Sequence, residues 1–111
     1  MENNSRAIIV LPRFKSSLIE VWDYIAENSV KNADKFILDL EKVMKRIEQY
    51  PEANPMFRPL AGKRKLYRYK IYKKNYLIIF KLLKFKLIYL RVVYSKRSPN
   101  YYETLRTSEY K

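Results

Sequence analysis

Apolar residues in the first half of the chain recur with the period of an α-helix. Between Pro12 and Pro51 they fall three and four positions apart in two successive sets, which Asn28-Ser29 separates, and charged residues fill the positions between them. This spacing predicts two amphipathic helices, and the short break between them predicts an antiparallel hairpin. The core positions that we expect on these helices are Phe14, Leu18, Trp22, Ile25, Phe36, Leu40, Met44 and Ile47.

The pattern on either side of this hairpin is typical of β-strands. Residues 6–11 (RAIIVL) form an unbroken apolar run, which predicts a first strand that is buried on both faces. After a loop that contains three prolines, apolar and polar residues alternate in 66–73, a nearly continuous apolar run occupies 76–83, and alternation returns in 85–94. Three strands with such short connections predict an antiparallel meander.

The resulting element order, β-α-α-β-β-β, predicts an α+β fold. An N-terminal strand and an antiparallel helical hairpin would pack on an antiparallel sheet, with the hairpin covering one face. The other face of the sheet, or its rim, should then carry Arg68, Lys70 and Arg91. Unbroken alternation in the last strand would place Arg91 on the same face as Leu87 and Tyr89.

Composition excludes several kinds of chemistry. The chain has 111 residues, so we expect one domain over residues 1–111. It contains no Cys and no His, and its single glycine is Gly62. Disulfides, a thiol nucleophile, a histidine base and a glycine-rich phosphate loop are therefore excluded, and we predict neither a cofactor nor a metal. No apolar run is long enough to span a membrane and residues 1–6 are polar, which predicts a cytoplasmic protein.

Positive charge is concentrated in one part of the chain. The formal net charge is +13, from 24 basic and 11 acidic residues. Residues 1–52 hold 8 basic and 9 acidic residues, whereas residues 53–102, the acid-free segment, hold 14 basic residues and no acidic one. Eight of the 11 tyrosines also lie in this segment. Such segregation indicates a polyanion or an acidic protein as the binding partner.

The sequence from about Ala7 to Tyr102 resembles the RelE/ParE superfamily of bacterial toxins. The resemblance is carried by the segments LPRFKSSLIEVWDYIAENS, NADKFILDLEKVMKRIEQYP, LYRYKIYKKNYLIIFKL and LRVVYSKRSPN, in this order. It implies the toxin of a type II toxin–antitoxin module, which inhibits growth. An acidic antitoxin is then implied as the cognate partner.

The superfamily has two activities, and one of them is cleavage of mRNA in the ribosomal A site by RelE-like members. Carrying that pattern over, Arg68 and Lys70 match two basic residues of the second strand, and Arg97 matches the arginine that ends the last strand. The third-strand arginine falls at Leu77 and is therefore absent. No residue matches the catalytic tyrosine of the C-terminal segment, although two tyrosines lie near its position, Tyr101 and Tyr102.

ParE-like members of the superfamily instead inhibit DNA gyrase. The hairpin of roughly 40 residues between Pro12 and Pro51 resembles theirs more than the shorter one of RelE. We therefore favour a ParE-like toxin that acts on gyrase, with RelE-like mRNA cleavage on the ribosome as the alternative; only the latter would make the chain an enzyme. A non-toxic basic module that binds nucleic acid is a second alternative. The residues expected to contact the target are Arg91, Tyr94, Lys96 and Arg97.

Overall fold

The structure is a computed structural model that describes residues 6–58 and 66–95. In chain order its elements are β1 (Ala7–Val10), α1 (Pro12–Ala26), α2 (Val30–Gln49), a 3₁₀ turn (Pro51–Ala53), β2 (Tyr67–Tyr72), β3 (Tyr76–Leu82) and β4 (Lys86–Tyr94). This order confirms the predicted β-α-α-β-β-β arrangement. None of the helices in these two stretches is long and apolar enough to cross a membrane.

Local sequence accounts for the helix boundaries. Pro12 is the first residue of α1, where a missing N–H leaves no intrahelical bond unmade. Ser29 caps α2, because its Oγ accepts a hydrogen bond from the N–H of Asn32 at 3.1 Å. α2 ends at Gln49, just before Pro51, which cannot continue a helix.

The sheet has the strand order β1-β4-β3-β2. β2, β3 and β4 form the predicted antiparallel meander, and β1 joins it by parallel pairing with β4, from Ala7 opposite Lys86 to Val10 opposite Tyr89. The expectation that β1 is buried on both faces was wrong, since Ala7 and Ile8 are exposed. An unbroken apolar run predicts a strand but does not tell an edge position from a central one.

The two helices pack on one face of the sheet and form the larger core. From the hairpin, Phe14, Phe36, Leu40 and Ile47 are buried, while Leu18, Ile25 and Met44 are partly buried against them. The buried sheet residues of this core are Tyr72, Ile78, Phe80, Leu82, Leu87, Tyr89 and Val92. We call this the helix-covered face.

Trp22 is not part of that core, which corrects the prediction. The side chain is half-buried, and its Nε1 donates a hydrogen bond to Asp34 Oδ1 of α2 at 3.0 Å. Trp22 therefore links the two helices of the hairpin. The 3.6-residue period places it on the edge of the apolar stripe, and it cannot tell contact with the sheet from contact with α2.

The opposite face of the sheet is also apolar. Its buried cluster consists of Phe57, Tyr67, Ile79, Ile88, Leu90 and Val93. The chain around Phe57 runs along the outer edge of β2: the Phe57 N–H donates to the Tyr67 carbonyl at 2.7 Å, and the Tyr69 N–H donates to the Pro55 carbonyl at 3.1 Å. This segment contributes Phe57 to the second cluster.

A β-bulge interrupts the alternation of β4. Tyr89 pairs with Phe80 and Arg91 with Ile79, so Leu90 is an extra residue in β4. Beyond the bulge the faces exchange, and Val92 lies on the helix-covered face with Tyr89. The predicted grouping of Arg91 with Leu87 and Tyr89 was therefore wrong, because those two residues belong to the helix-covered face.

Candidate functional site

Arg68 and Lys70 of β2 lie on the helix-covered side of the sheet, not on the opposite face as expected. Their partners across the ladder, Phe80 and Ile78, both belong to the helix-covered core. Tyr72, two residues beyond Lys70, points the same way and contacts Phe36 of α2. The two cations therefore lie near the edge of the sheet, on the side of the hairpin.

Arg68 has a structural contact in this position. Its Nη1 donates a hydrogen bond to the Asn54 carbonyl at 2.6 Å. The Asn54 side chain in turn donates to the Pro51 carbonyl at 3.1 Å. Arg68 thereby fastens the turn that follows α2 to the sheet. Lys70 is half-buried beside it.

Leu77 and Arg91 lie on the face opposite the helices. Leu77 packs against the second apolar cluster, and Arg91 pairs with Ile79, a buried member of that cluster. The Arg91 side chain is not the exposed contact that the sequence analysis expected, because the residue is only 8% exposed and its Nη1 donates to the Leu90 carbonyl at 3.1 Å. Arg68 and Arg91 are thus separated by the sheet and do not converge on one point.

The buried tyrosine hydroxyls of the core are occupied by structural contacts. Tyr72 donates to the Phe36 carbonyl at 2.6 Å, and the Tyr89 hydroxyl lies 2.9 Å from Glu48 Oε2 and 3.0 Å from the Met44 carbonyl. Burial raises the pKa of both tyrosines, and the nearby carboxylate of Glu48 raises the pKa of Tyr89 further. Both hydroxyls therefore stay protonated at neutral pH.

Exposed lysines lie at both ends of the sheet. The β2–β3 turn carries Lys73 and Lys74; Lys73 contacts Asp39 of α2 at 2.9 Å, and Lys35 contacts the same carboxylate at 3.2 Å. Hydrogen bonds from Lys73 and then Lys35 lower the pKa of Asp39. At the other end, the exposed β3–β4 turn places Lys84 over the ring of Phe85 at 5.3 Å.

A groove of about 460 Å³ lies between α1 and the end of β4. Its lining residues are Ser17, Glu20, Val21, Tyr24, Tyr76, Val92, Val93 and Tyr94. The rings of Tyr76 and Tyr94 meet edge to face with centroids 6.0 Å apart. Burial raises the pKa of Tyr76, and the neighbouring Tyr24 and Tyr94 add to this rise. The groove is therefore lined by aromatic rings whose hydroxyls remain hydrogen-bond donors at neutral pH.

Of the target-binding residues predicted from the sequence, Tyr94 lies in this groove and is 45% exposed. Four predicted site residues lie outside the described residues: Lys96, Arg97, Tyr101 and Tyr102. Sequence analysis missed the contribution of α1 to the groove. Tyr24 could have indicated it, because this large aromatic residue stands on the polar side of the helical pattern and is 68% exposed.

A mixed sheet that is covered on one face by a helical hairpin and flanked by an aromatic groove defines a protein of the RelE/ParE class. Within that class, the family described as the ParE toxin of type II toxin-antitoxin system, parDE, matches residues 8–99. The chain therefore belongs to the ParE toxin family and is the toxin component of a type II toxin–antitoxin module. Membership implies a cognate antitoxin partner, and it favours a toxin over a non-toxic nucleic-acid-binding module.

Solved structures agree with this fold. A chain of the structure titled "Chromosomal ParDE TA system from P. aeruginosa" matches with a TM-score of 0.66, covering 83% of this chain and 98% of that chain. The two sequences are 13% identical, so this likeness shows the fold alone. No curated protein sequence matches the chain significantly.

Proposed function

We propose that this toxin arrests growth by inhibiting DNA gyrase and not by cleaving mRNA. One observation carries the proposal: the positions that match the nuclease pattern are divided between the two faces of the sheet. Arg68 and Lys70 are on the helix-covered side, and Leu77 is on the other. Residues on opposite faces of one sheet cannot act together on a single phosphate.

Cleavage of RNA by its own 2′-hydroxyl needs preorganised positive charge at the phosphate. Around Leu77 the sheet instead presents the second apolar cluster, and the neighbouring Arg91 is buried with its Nη1 on a backbone carbonyl. On the helix-covered side, Arg68 already binds the Asn54 carbonyl. In the described part of the chain, the cations are therefore arranged to hold the fold and to charge the surface, which suits an inhibitor that acts by binding.

Proton transfer supports the same conclusion. A general base must lie near its working pH and within reach of the proton that it takes. The hydroxyls of Tyr72 and Tyr89 are bonded within the core and have raised pKa values. Neither can serve as a base at neutral pH.

Contacts with gyrase are proposed for Tyr94 and for the two cations that follow it in sequence, Lys96 and Arg97. Tyr94 has an exposed ring with a polar tip, a combination enriched at protein interfaces. Arg91, which the sequence analysis grouped with these residues, is assigned a structural role instead. A toxin that acts on gyrase works in the cytoplasm, where that enzyme acts on DNA.

Induction of the chain in cells tests the proposal, with plasmid supercoiling and mRNA integrity measured in the same culture. We expect plasmids to lose negative supercoils while mRNA stays intact. Arg97→Ala should weaken the loss of supercoiling, and Lys42→Ala, which removes an exposed cation on α2, should not. Cuts in mRNA at the ribosomal A site that disappear with Arg97→Ala would instead establish the RelE-like activity.

A further inference from the structure

The second half of β4 has one edge that no described strand covers. β1 pairs with β4 only from Lys86 to Tyr89, and β3 pairs with the other side of β4 along its whole length. Beyond Tyr89, the edge of β4 therefore faces α1 across the groove. We call residues Val92 to Tyr94 on this side the open edge.

Backbone polar groups on the open edge point into the groove. The Ser95 N–H donates to the Asn75 carbonyl at 2.8 Å, and antiparallel alternation then directs Val93 toward β3, and Val92 and Tyr94 away from it. The Val92 N–H confirms this direction, because it donates to Ser17 Oγ on α1 at 3.1 Å. Within residues 6–58 and 66–95, nothing bonds the Val92 carbonyl or the N–H and carbonyl of Tyr94.

The walls beside the open edge would accept side chains on both sides of an added strand. Tyr24 and Tyr94 are exposed rings at the mouth of the groove, and Val21 and Tyr76 line its interior. Among the described lining residues, Glu20 is the one that carries a charge. A groove set into a protein with net charge +13 thus has a negative group at its wall.

We propose that an extended segment of the cognate antitoxin docks in this groove and adds a strand to the open edge of β4. Such β-augmentation gives affinity through main-chain hydrogen bonds and specificity through alternate side chains. Charge complementarity with Glu20 assigns the segment a composition of alternating apolar residues with a lysine or arginine opposite Glu20. The segment therefore differs from the acidic remainder that the acid-free half of the toxin would attract. The inference does not depend on whether gyrase is the target.

Substitution at Tyr94 tests the main-chain contact in the full chain. Tyr94→Pro removes both the side chain and the N–H, whereas the control Tyr94→Ala removes the side chain alone. The N–H lies off the β3 ladder, so the sheet loses no hydrogen bond, and matching melting temperatures check that both variants fold. The probe is the purified full-length antitoxin encoded beside the toxin gene. We expect the proline variant to bind roughly tenfold more weakly than the alanine variant, because one main-chain bond is lost. Equal affinities would overturn the proposal.

Charge reversal on α1 tests the composition of the segment. Glu20→Lys should weaken antitoxin binding several-fold, while Asp23→Lys, on an exposed position that does not line the groove, makes the same charge change outside it. Added positive charge alone would favour an acidic partner equally at both sites. An equal gain in affinity in the two variants would therefore contradict a cation opposite Glu20.

Amide hydrogen exchange identifies the occupant without any substitution. The Tyr94 N–H should exchange rapidly in the free toxin and become protected in the antitoxin complex. Protection in the free toxin that rises with toxin concentration would mean that a second copy fills the groove. Protection in the free toxin at every concentration would mean that the chain fills it itself. Either result, or unchanged exchange in the complex, would overturn the proposal.

Discussion

Ser17 of α1 holds the bulged part of β4, and its removal gives a sharp test of the packing described above. The Ser17 hydroxyl donates to the Phe14 carbonyl at 2.8 Å and accepts from the Val92 N–H at 3.1 Å, and the residue is 7% exposed. The Val92 N–H points away from β3, so the ladder offers it no other partner. Ser17→Ala would leave this buried donor unsatisfied.

The size of the effect follows from two opposing terms. An unsatisfied buried N–H costs about 1–3 kcal/mol. Alanine in a helix gains at most about 0.5 kcal/mol over serine from its higher intrinsic propensity. The net loss in the free energy of unfolding should be about 1–2 kcal/mol.

Ser16→Ala is the matched control, because Ser16 is the preceding residue of the same helix and is exposed. It makes the same propensity gain without the buried contact, so it should leave stability unchanged or slightly raised. Urea denaturation of the two variants measures the difference, and amide exchange at Val92 should speed up in Ser17→Ala alone. Equal midpoints and equal Val92 exchange would refute the role given to Ser17.

Three further predictions concern the turn, the ion pairs and the hairpin. Lys74 has φ of 71°, a left-handed conformation that suits glycine, so Lys74→Gly should raise stability by about 0.5–1 kcal/mol in urea denaturation, and a loss would contradict this reading. The pKa of Asp39 is lowered in the folded state, so its stabilising effect is present above the unfolded pKa near 3.8 and lost as pH falls through the folded value. Wild type should therefore exceed Asp39→Asn in stability at pH 7, with the gap closing below about pH 4, whereas a gap independent of pH would exclude the ion pair as its cause. Trp22→Ala should cost about 2 kcal/mol, less than the ~3–5 kcal/mol of a fully buried tryptophan, and a loss in that higher range by thermal melting would return Trp22 to the core.

The elements of this fold could be predicted from sequence because their patterns are local. The helical period, Pro12 at the start of α1, Ser29 before α2 and Pro51 after it set the hairpin within a few residues of its observed bounds. The hairpin turn at Lys73-Lys74 was also predicted, although both residues take positive φ without a glycine.

The faces of the last strand could not be predicted, since they depend on pairing across the sheet. β4 is apolar at most positions, so a bulge at Leu90 leaves no mark on the hydrophobic pattern and still reverses the direction of every later side chain. The same limit concealed the burial of Arg91 and the open edge at Tyr94. That edge exists because β1 pairs with only the first half of β4, a long-range contact that no local pattern specifies.

The central claim is that this ParE-family chain inhibits gyrase by binding it, and a supercoiling assay with purified components tests it most directly. Toxin is added to gyrase, relaxed plasmid and ATP, with and without equimolar antitoxin. The account predicts that the toxin stops supercoiling and that the antitoxin restores it. Full supercoiling activity at a toxin concentration that cuts ribosome-bound mRNA in a parallel translation reaction would contradict the account.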